Sequence, residues 1–428
     1  MTSGNSNDDV RRHNLSVVLE LVHRQRGLAR AVLTRETGLN RSTTGALVSE
    51  LVDLCLVVES EPAREAGRLV GRPSPVVSAN PNIVAFAVNP EIDAITVAII
   101  GLDATLRARI RRPVDRPTVA DAVLLTVAII DELLAQSNSG YRVVAIGVAV
   151  PGLVRTGDGL IRLAPHLGWL DEPFAALLSQ ATGLPVSAAN DADLGILAES
   201  IFGAGKDVVD LIYLNGGASG IGGGIIAGGQ VVRGSAGYAG ELGHTLVNTA
   251  GVTCHCGASG CLETEVRRAP LLALVGVTDS DELEAALVVS DSAEVMIEVR
   301  RQLDFLAVAL RNAINILNPQ LVILGGFLGS LSAAAPGYLI ERVTAQTLTA
   351  SRESVTITRS ELGPNLLMIG AAELAFEALL ADPAGYAVAL AARAGGIGAR
   401  SAGMIASSVV SPTGASGACA EPSGPRLE

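Results

Sequence analysis

ELGHTLVNTAGVTCHCGASGCLE, residues 241–263, gathers three of the five cysteines in this 428-residue chain beside His244, between Glu241 and Glu263. His244, Cys254, Cys256 and Cys261 follow the pattern H-x9-C-x-C-x4-C. Three thiolates and one imidazole complete a tetrahedral Zn²⁺ set with no position left for an activated water, so the expected ion is structural. Gly257 and Gly260 allow the chain to double back and bring Cys261 to the other ligands. Zinc binding, on the order of 10 kcal/mol at structural sites, would fix the loop carrying Glu241 and Glu263. By themselves those two carboxylates read equally well as solvated or supporting residues at the rim of a metal site.

On both sides of this loop, apolar strands alternate with helical patterns. Upstream lie IVAFAVN (83–89), AITVAIIGL (94–102), a helix over about 118–136, and VVAIGVAVPGLV (143–154). Further along come the strand LIYLN (211–215), the glycine-rich GGASGIGGGIIAGG (216–229), a helix over about Ser292–Leu317, and the strand LVILGG (321–326). Such alternation signals an α/β fold. Asn190 and Asp191 follow an apolar stretch, GLPVSAA, and stand at an expected strand end, where ligands of open α/β sheets collect. Amide and carboxylate together supply the donor and acceptors that suit vicinal sugar hydroxyls.

The N-terminal segment differs in texture and charge. The whole chain carries a net charge of −12, which argues against a nucleic-acid coat over its entire surface. Residues 10–45, however, hold seven Arg against two acids. Leu15, Val18, Leu19 and Val22 form the stripe of an amphipathic helix, and a second helix over Arg30–Thr37 ends at Gly38. Asn40 is placed to cap a third helix, giving a helix-turn-helix in which Arg41, Ser42, Thr43, Gly45 and Ala46 face a major groove. A β-ribbon follows, Leu56–Glu59, then a polar, arginine-containing tip, then residues 71–79; Arg68 and Arg72 of this ribbon are candidates for phosphate or minor-groove contact. Small three-helix units of this pattern also serve as dimerisation or peptide-binding modules; the arginine distribution is what favours DNA.

Cysteine usage points to a reducing, cytoplasmic compartment: three of the five form the metal pattern, and Cys55 and Cys419 stand apart. MTSGNSNDDVRRHN has no apolar stretch of the kind that opens a secretory signal, and no membrane span is expected.

Together these motifs resemble the ROK family of repressors, open reading frames and kinases, and its xylose and N-acetylglucosamine repressors in particular. The resemblance covers about residues 11–381 and rests on RLVGRPSP (68–75), VAVPGLV (148–154), AANDADLG (188–195), GYAGELGH (237–244), CHCGASGCLE (254–263) and NPQLVILGG (318–326). It implies an N-terminal winged helix-turn-helix plus an α/β, actin/hexokinase-like (ribonuclease H-like), two-lobed domain. The expected divisions are a flexible arm (1–10), the DNA-binding unit (11–80), a small lobe (81–189) to which a last helix (366–381) returns, a large lobe with the zinc site (190–365), and a disordered tail (382–428).

By resemblance, Asn190, Asp191, Glu241, His244 and Glu263 are the sugar ligands, and His244 shares its other ring nitrogen with zinc. In kinase members, the residue matching Asp191 takes the proton from the attacked sugar hydroxyl. Those kinases also need D-x-G-x-T on the first hairpin, for phosphates and Mg²⁺. Here Asn89, Glu91 and Asp93 stand at its Asp, Gly and Thr, and no register over 81–103 restores it. Ala29 replaces a usual Ser cap of the second helix, and Cys55 a usual Gly after the third. The expectation is therefore a non-enzymatic, sugar-responsive regulator. Its partners would be double-stranded operator DNA and a monosaccharide or sugar phosphate, and its state a homodimer or homotetramer. A sugar kinase that kept a DNA-binding head is the alternative.

Overall fold

The computed structural model describes residues 7–61, 74–137, 140–217, 219–278 and 280–386. The N-terminal unit comprises α1 (Asn7–Arg24), β1 (Leu28–Ala29), α2 (Arg30–Thr37), α3 (Arg41–Asp53), β2 (Val57–Ser60) and β3 (Val76–Ala79). Its three strands form an antiparallel sheet of order β1-β3-β2. The Asn40 side chain accepts from Thr43 N at 2.9 Å and so caps α3, whereas Ala29 gives α2 no side-chain cap. Cys55 follows α3 at φ 58°, a left-handed conformation that Gly would adopt without strain. Arg68 and Arg72 lie outside the described residues.

The next stretch holds β4 (Ile83–Pro90), β5 (Ala94–Gly101), β6 (Leu106–Pro113), α4 (Val119–Gln136), β7 (Arg142–Val150), β8 (Leu153–Val154), β9 (Ile161–Ala164), β10 (Trp169–Glu172), α5 (Phe174–Thr182) and β11 (Val186–Asn190). From there α6 (Asp191–Phe202) leads to β12 (Leu211–Gly216), β13 (Ile221–Ala227) and β14 (Gln230–Val231). After the cysteine loop come α7 (Leu262–Glu265), α8 (Arg268–Val275), α9 (Ser280–Val289), α10 (Ala293–Leu317), β15 (Leu321–Gly326), α11 (Phe327–Ala334), α12 (Pro336–Gln346), α13 (Thr349–Arg352), β16 (Thr356–Arg359) and α14 (Leu366–Ala381).

Two five-stranded sheets organise these elements, β6-β5-β4-β7-β11 and β14-β13-β12-β15-β16. In each, the first three strands pair antiparallel and the last two add in parallel, so the lobes repeat one topology. Strands β4 and β5 are buried along their whole length, as continuous apolar runs require when both sheet faces are covered. Helix α6 leaves the first sheet and packs on β12 and β13 of the second, while α14 returns to cover β4 and β7 and lies along α6. α14 belongs to the one described helical segment, Gly363–Ala381, that is long and apolar enough to cross a membrane; here it is a core element.

The N-terminal unit shares a core with the first lobe. Leu15, Val18, Leu19 and Val22 of α1 are fully buried in one cluster with Ala371, Ala375, Phe376 and Leu379 of α14. Order also runs further at both ends than the reading of a flexible arm and tail allows. Helix α1 begins at Asn7, with Asp8 and Asp9 favourably placed at its positive end. At the other end, Tyr386 N donates to Asp382 O, and Tyr386 Oη donates to Val144 O at 3.0 Å. Residues 387–428 lie outside the described residues.

Candidate functional site

The cysteine loop is a tight excursion between the second sheet and α7. Gly257 and Gly260 both have φ near +80 to +90°, and Val247 N and Asn248 N each donate to Gly260 O, which folds the chain onto itself. The ligand atoms of His244, Cys254, Cys256 and Cys261 all lie within 4.8 Å of one another. His244 Nδ1 is 3.5 Å from Cys254 Sγ, and Cys256 Sγ is 3.7 Å from Cys261 Sγ. These are edge lengths of a tetrahedron with metal bonds of about 2.0–2.3 Å. A Cys3His cluster is therefore present, and its donor set and spacing fit zinc.

The same histidine looks into a cavity of about 360 Å³. Asn190, Asp191, Glu241, His244 and Glu263 all line it, together with Gly152 from the first lobe and Gly220 from the second. Five residues spread over 74 positions of sequence thus converge on one space. Their individual states differ. Asn190 caps α6: its Oδ1 accepts from Ala192 N at 2.8 Å and Asp193 N at 3.2 Å, while Nδ2 donates to Gly152 O at 2.9 Å. One amide N–H is left over for a ligand. Asp191 accepts from Ala192 N at 2.8 Å; burial pushes its carboxyl up to about 7, with the charges of Glu241 and Glu91 acting in the same direction. Asp193, two residues further into α6, is likewise pushed by burial to about 7. Burial also raises Glu241, against the pull of His244, whose Nε2 lies 3.8 Å from Glu241 Oε2.

Two cavity residues escaped the sequence reading. His255 sits between two metal-ligand cysteines, its Nδ1 3.1 Å from Glu263 Oε1, and with His244 and Glu263 it forms a second group of potential metal ligands. His166, from the β9–β10 turn, lines the same cavity with its ring centroid 5.7 Å from that of His255. An isolated histidine has no spacing to announce it. Glu91 lies in a neighbouring cleft of about 820 Å³ with Asn89, Arg111, Gly326 and Arg359. Burial raises its pKa, partly offset by Arg111 at 3.6 Å. The D-x-G-x-T alignment had placed it correctly on the hairpin but carried no signal for its burial.

On the N-terminal unit, Arg41, Ser42 and Ala46 are exposed at the start of α3, and Thr43 and Gly45 are half-buried. Ser42 Oγ donates to Asn40 Oδ1 at 2.6 Å, so part of this surface is already engaged in holding the helix start. Arg30, at the start of α2, pairs with Glu59 of β2 and reaches to the edge of Gly45.

Two lobes of repeated topology, a polar cavity between them and a Cys3His loop at its wall define a protein of the actin/hexokinase-like class. The chain belongs to the ROK family, whose sequence profile matches residues 87–378. A xylose repressor of Caldicellulosiruptor bescii is 27% identical to it over 86% of this chain and 97% of that protein. A glucokinase of Thermotoga maritima is 28% identical over 65% of this chain and 93% of that one. Among solved structures, a ROK family transcriptional regulator, a homologue of the E. coli MLC protein, superimposes with a TM-score of 0.72 at 24% identity, covering 89% of this chain and 98% of that one.

Proposed function

We propose that this chain is a sugar-responsive DNA-binding regulator, a repressor of carbohydrate-uptake or catabolism genes, acting in the cytoplasm. The observation that carries the proposal is the joining of a helical, arginine-bearing unit to a sugar-type cleft by one hydrophobic core. The similarity to a xylose repressor across nearly its full length supports it, whereas the glucokinase likeness spans about two thirds of this chain.

In this reading residues 11–80 are a winged helix-turn-helix. Arg41, Ser42, Thr43, Gly45 and Ala46 read a major groove, and Arg68 and Arg72 hold flanking phosphates. The cleft takes a monosaccharide or sugar phosphate on Asn190, Asp191, Glu241, His244 and Glu263. Zinc on His244, Cys254, Cys256 and Cys261 stiffens the loop that presents Glu241, His244 and Glu263; a full protein ligand set gives it no catalytic position. Two such chains on a pseudo-palindromic site would require a homodimer or homotetramer. Sugar-driven movement of the lobes would change operator affinity by about 5–150-fold, a typical allosteric coupling.

A second reading, a sugar kinase with a DNA-binding head, draws on Asp191, whose pKa of about 7 suits a general base. Against it stands Glu91, a carboxylate in the neighbouring cleft where a kinase would need neutral backbone donors. Like charges in a cleft repel. Fluorescence anisotropy of the zinc-loaded protein on DNA from its own upstream region, at fixed salt, with D-xylose, D-glucose and N-acetyl-D-glucosamine, tests the proposal. A sugar-dependent shift of the midpoint is expected. Absence of DNA binding together with sugar-dependent ATP consumption would replace it with the kinase.

A further inference from the structure

His23 lies in the last turn of α1, 1% exposed, with both ring nitrogens engaged outside its own unit. Nε2 is 2.8 Å from Glu373 Oε2 on α14, and Nδ1 meets Leu102 O just beyond β5. The Leu102 carbonyl can only accept, so Nδ1 carries a proton, and Nε2 shares its hydrogen bond with the Glu373 carboxyl. Burial alone would lower the His23 pKa, but the charge and hydrogen bond of Glu373 outweigh it and raise it. Glu373 is 4% exposed, and its Oε1 has no hydrogen-bond partner among the described residues. Such a half-satisfied buried carboxylate costs stability and calls for a reason beyond packing.

The surroundings supply one. The edge of the His23 ring meets Phe202, the last residue of α6, with centroids 5.3 Å apart at 84°. Arg26 covers the same phenyl ring at 5.1 Å. Helix α6 starts at Asp191 in the sugar-type cavity and ends on His23, so it spans the distance from ligand site to head as one rod, roughly 18 Å at 1.5 Å per residue. It has little room to bend or slide against its neighbour. A Cβ at Gly370 of α14 would lie 2.2 Å from Leu194 O of α6, and one at Gly147 of β7 would lie 1.7 Å from Ala371 O of α14. Backbone packed against backbone cannot absorb a displacement as flexible side chains can. His23 therefore touches both α6 and α14, meeting α6 at its end remote from the cavity and α14 near its middle.

We propose that the buried His23–Glu373 pair, seated on Phe202, is the joint that carries sugar occupancy at Asp191 to the DNA-reading unit. This rests on the regulator reading above and names its route. Reorientation of α6 on sugar binding moves Phe202 against His23. Because α1 is pinned there, α3 moves with it.

The test uses full-length, zinc-loaded protein and its upstream DNA, comparing wild type with Phe202→Leu and Glu373→Ala. Leucine fills most of the phenylalanine volume, so Phe202→Leu decides the matter if Glu373→Ala does not fold. Three quantities are measured: the Kd for D-xylose or whichever panel sugar binds, by calorimetry; the Kd for DNA without sugar; and the ratio of DNA Kd values with and without it. Both variants should keep the first two within about threefold of wild type, while the ratio falls from the wild-type 5–150-fold range to below about twofold. A purely structural role would move stability but leave the ratio intact. A wild-type ratio preserved in both folded variants would overturn the joint alone. A wild-type protein that binds sugar and DNA with no effect of one on the other would overturn the regulator reading, and the joint with it.

Discussion

The two lobes begin with the same device and treat it differently. In the second lobe, β12 and β13 are joined through a glycine-rich turn in which Gly217 N donates to Gly220 O at 2.8 Å. In the first, β4 and β5 turn through Glu91 and Asp93, with Glu91 N donating to Ala94 O at 2.8 Å. One hairpin leaves small, approachable backbone at the cavity; the other places Glu91 in the neighbouring cleft with Asp93 exposed beside it, both within salt-bridge reach of Arg111. Topology is thus repeated in both halves, while the residues and the charge of the two hairpins differ. A fold that repeats itself can vary one hairpin without disturbing the other, because each belongs to its own sheet.

The largest effect should come from the metal loop, which supports the second hairpin's side of the cavity. Cys261→Ser removes one of four donors, and Cys261 is 1% exposed. We expect loss of bound zinc by elemental analysis and a fall in sugar affinity of at least about 100-fold, at the upper end of what disturbing a metal site's surroundings costs. Full zinc content with normal sugar binding would detach the loop from the site. Glu241→Ala should come next. Losing two charge-assisted hydrogen bonds to a sugar costs about 3 kcal/mol or more, roughly 100-fold in affinity. DNA binding without sugar should not change, and a sugar titration that matches wild type would remove Glu241 from the cavity's ligands.

Local signals explain what could be read in the chain beforehand. The Asn40 cap, the α2 limits and the Cys3His spacing, which runs only from His244 to Cys261, are all set within short stretches of chain, where residue type and conformation are tightly linked. Convergence of Asn190, Glu241 and Glu263 was available only through resemblance, since nothing in their spacing encodes a shared cavity. Strand β1, two residues long, has no pattern to display. His23 and Glu373 are 350 residues apart, and each reads in sequence as an ordinary polar residue on its own helix. Buried polar pairs of this kind are decided by tertiary packing, which is also why the shared core of α1 and α14 was not foreseen.

The contrast between hairpins can be tested by reversing it. Asn89→Asp, Glu91→Gly and Asp93→Thr together write D-x-G-x-T into the β4–β5 turn. Wild type should show no saturable Mg-ATP binding by calorimetry. The triple variant should bind at least about tenfold more tightly than the wild-type limit, because a like charge near a phosphate costs a few kcal/mol at protein surfaces. Equal behaviour would mean that the β4–β5 hairpin does not decide nucleotide binding.

The smallest effect concerns stability and distinguishes the carboxylates of the two cavities. Asp191, pushed up to about 7 by burial, holds its proton in the folded protein at pH values where the unfolded chain has released it. Folding then takes up protons between about pH 4 and 7, so stability from this group is present at acid pH and lost as pH rises through 7. Asp191→Asn keeps the carbonyl that accepts from Ala192 N and removes the charge. At pH 8 the variant should melt a few degrees above wild type, about 2–4 °C per kcal/mol for a domain of this size, and the difference should vanish near pH 4. Glu91→Gln should act in the same direction and less, because Arg111 at 3.6 Å already offsets part of the burial of Glu91. A larger gain at Glu91 than at Asp191 would reverse the contrast. It would make the first hairpin, not the cavity at Asp191, the place where this fold tolerates an unfavourable charge.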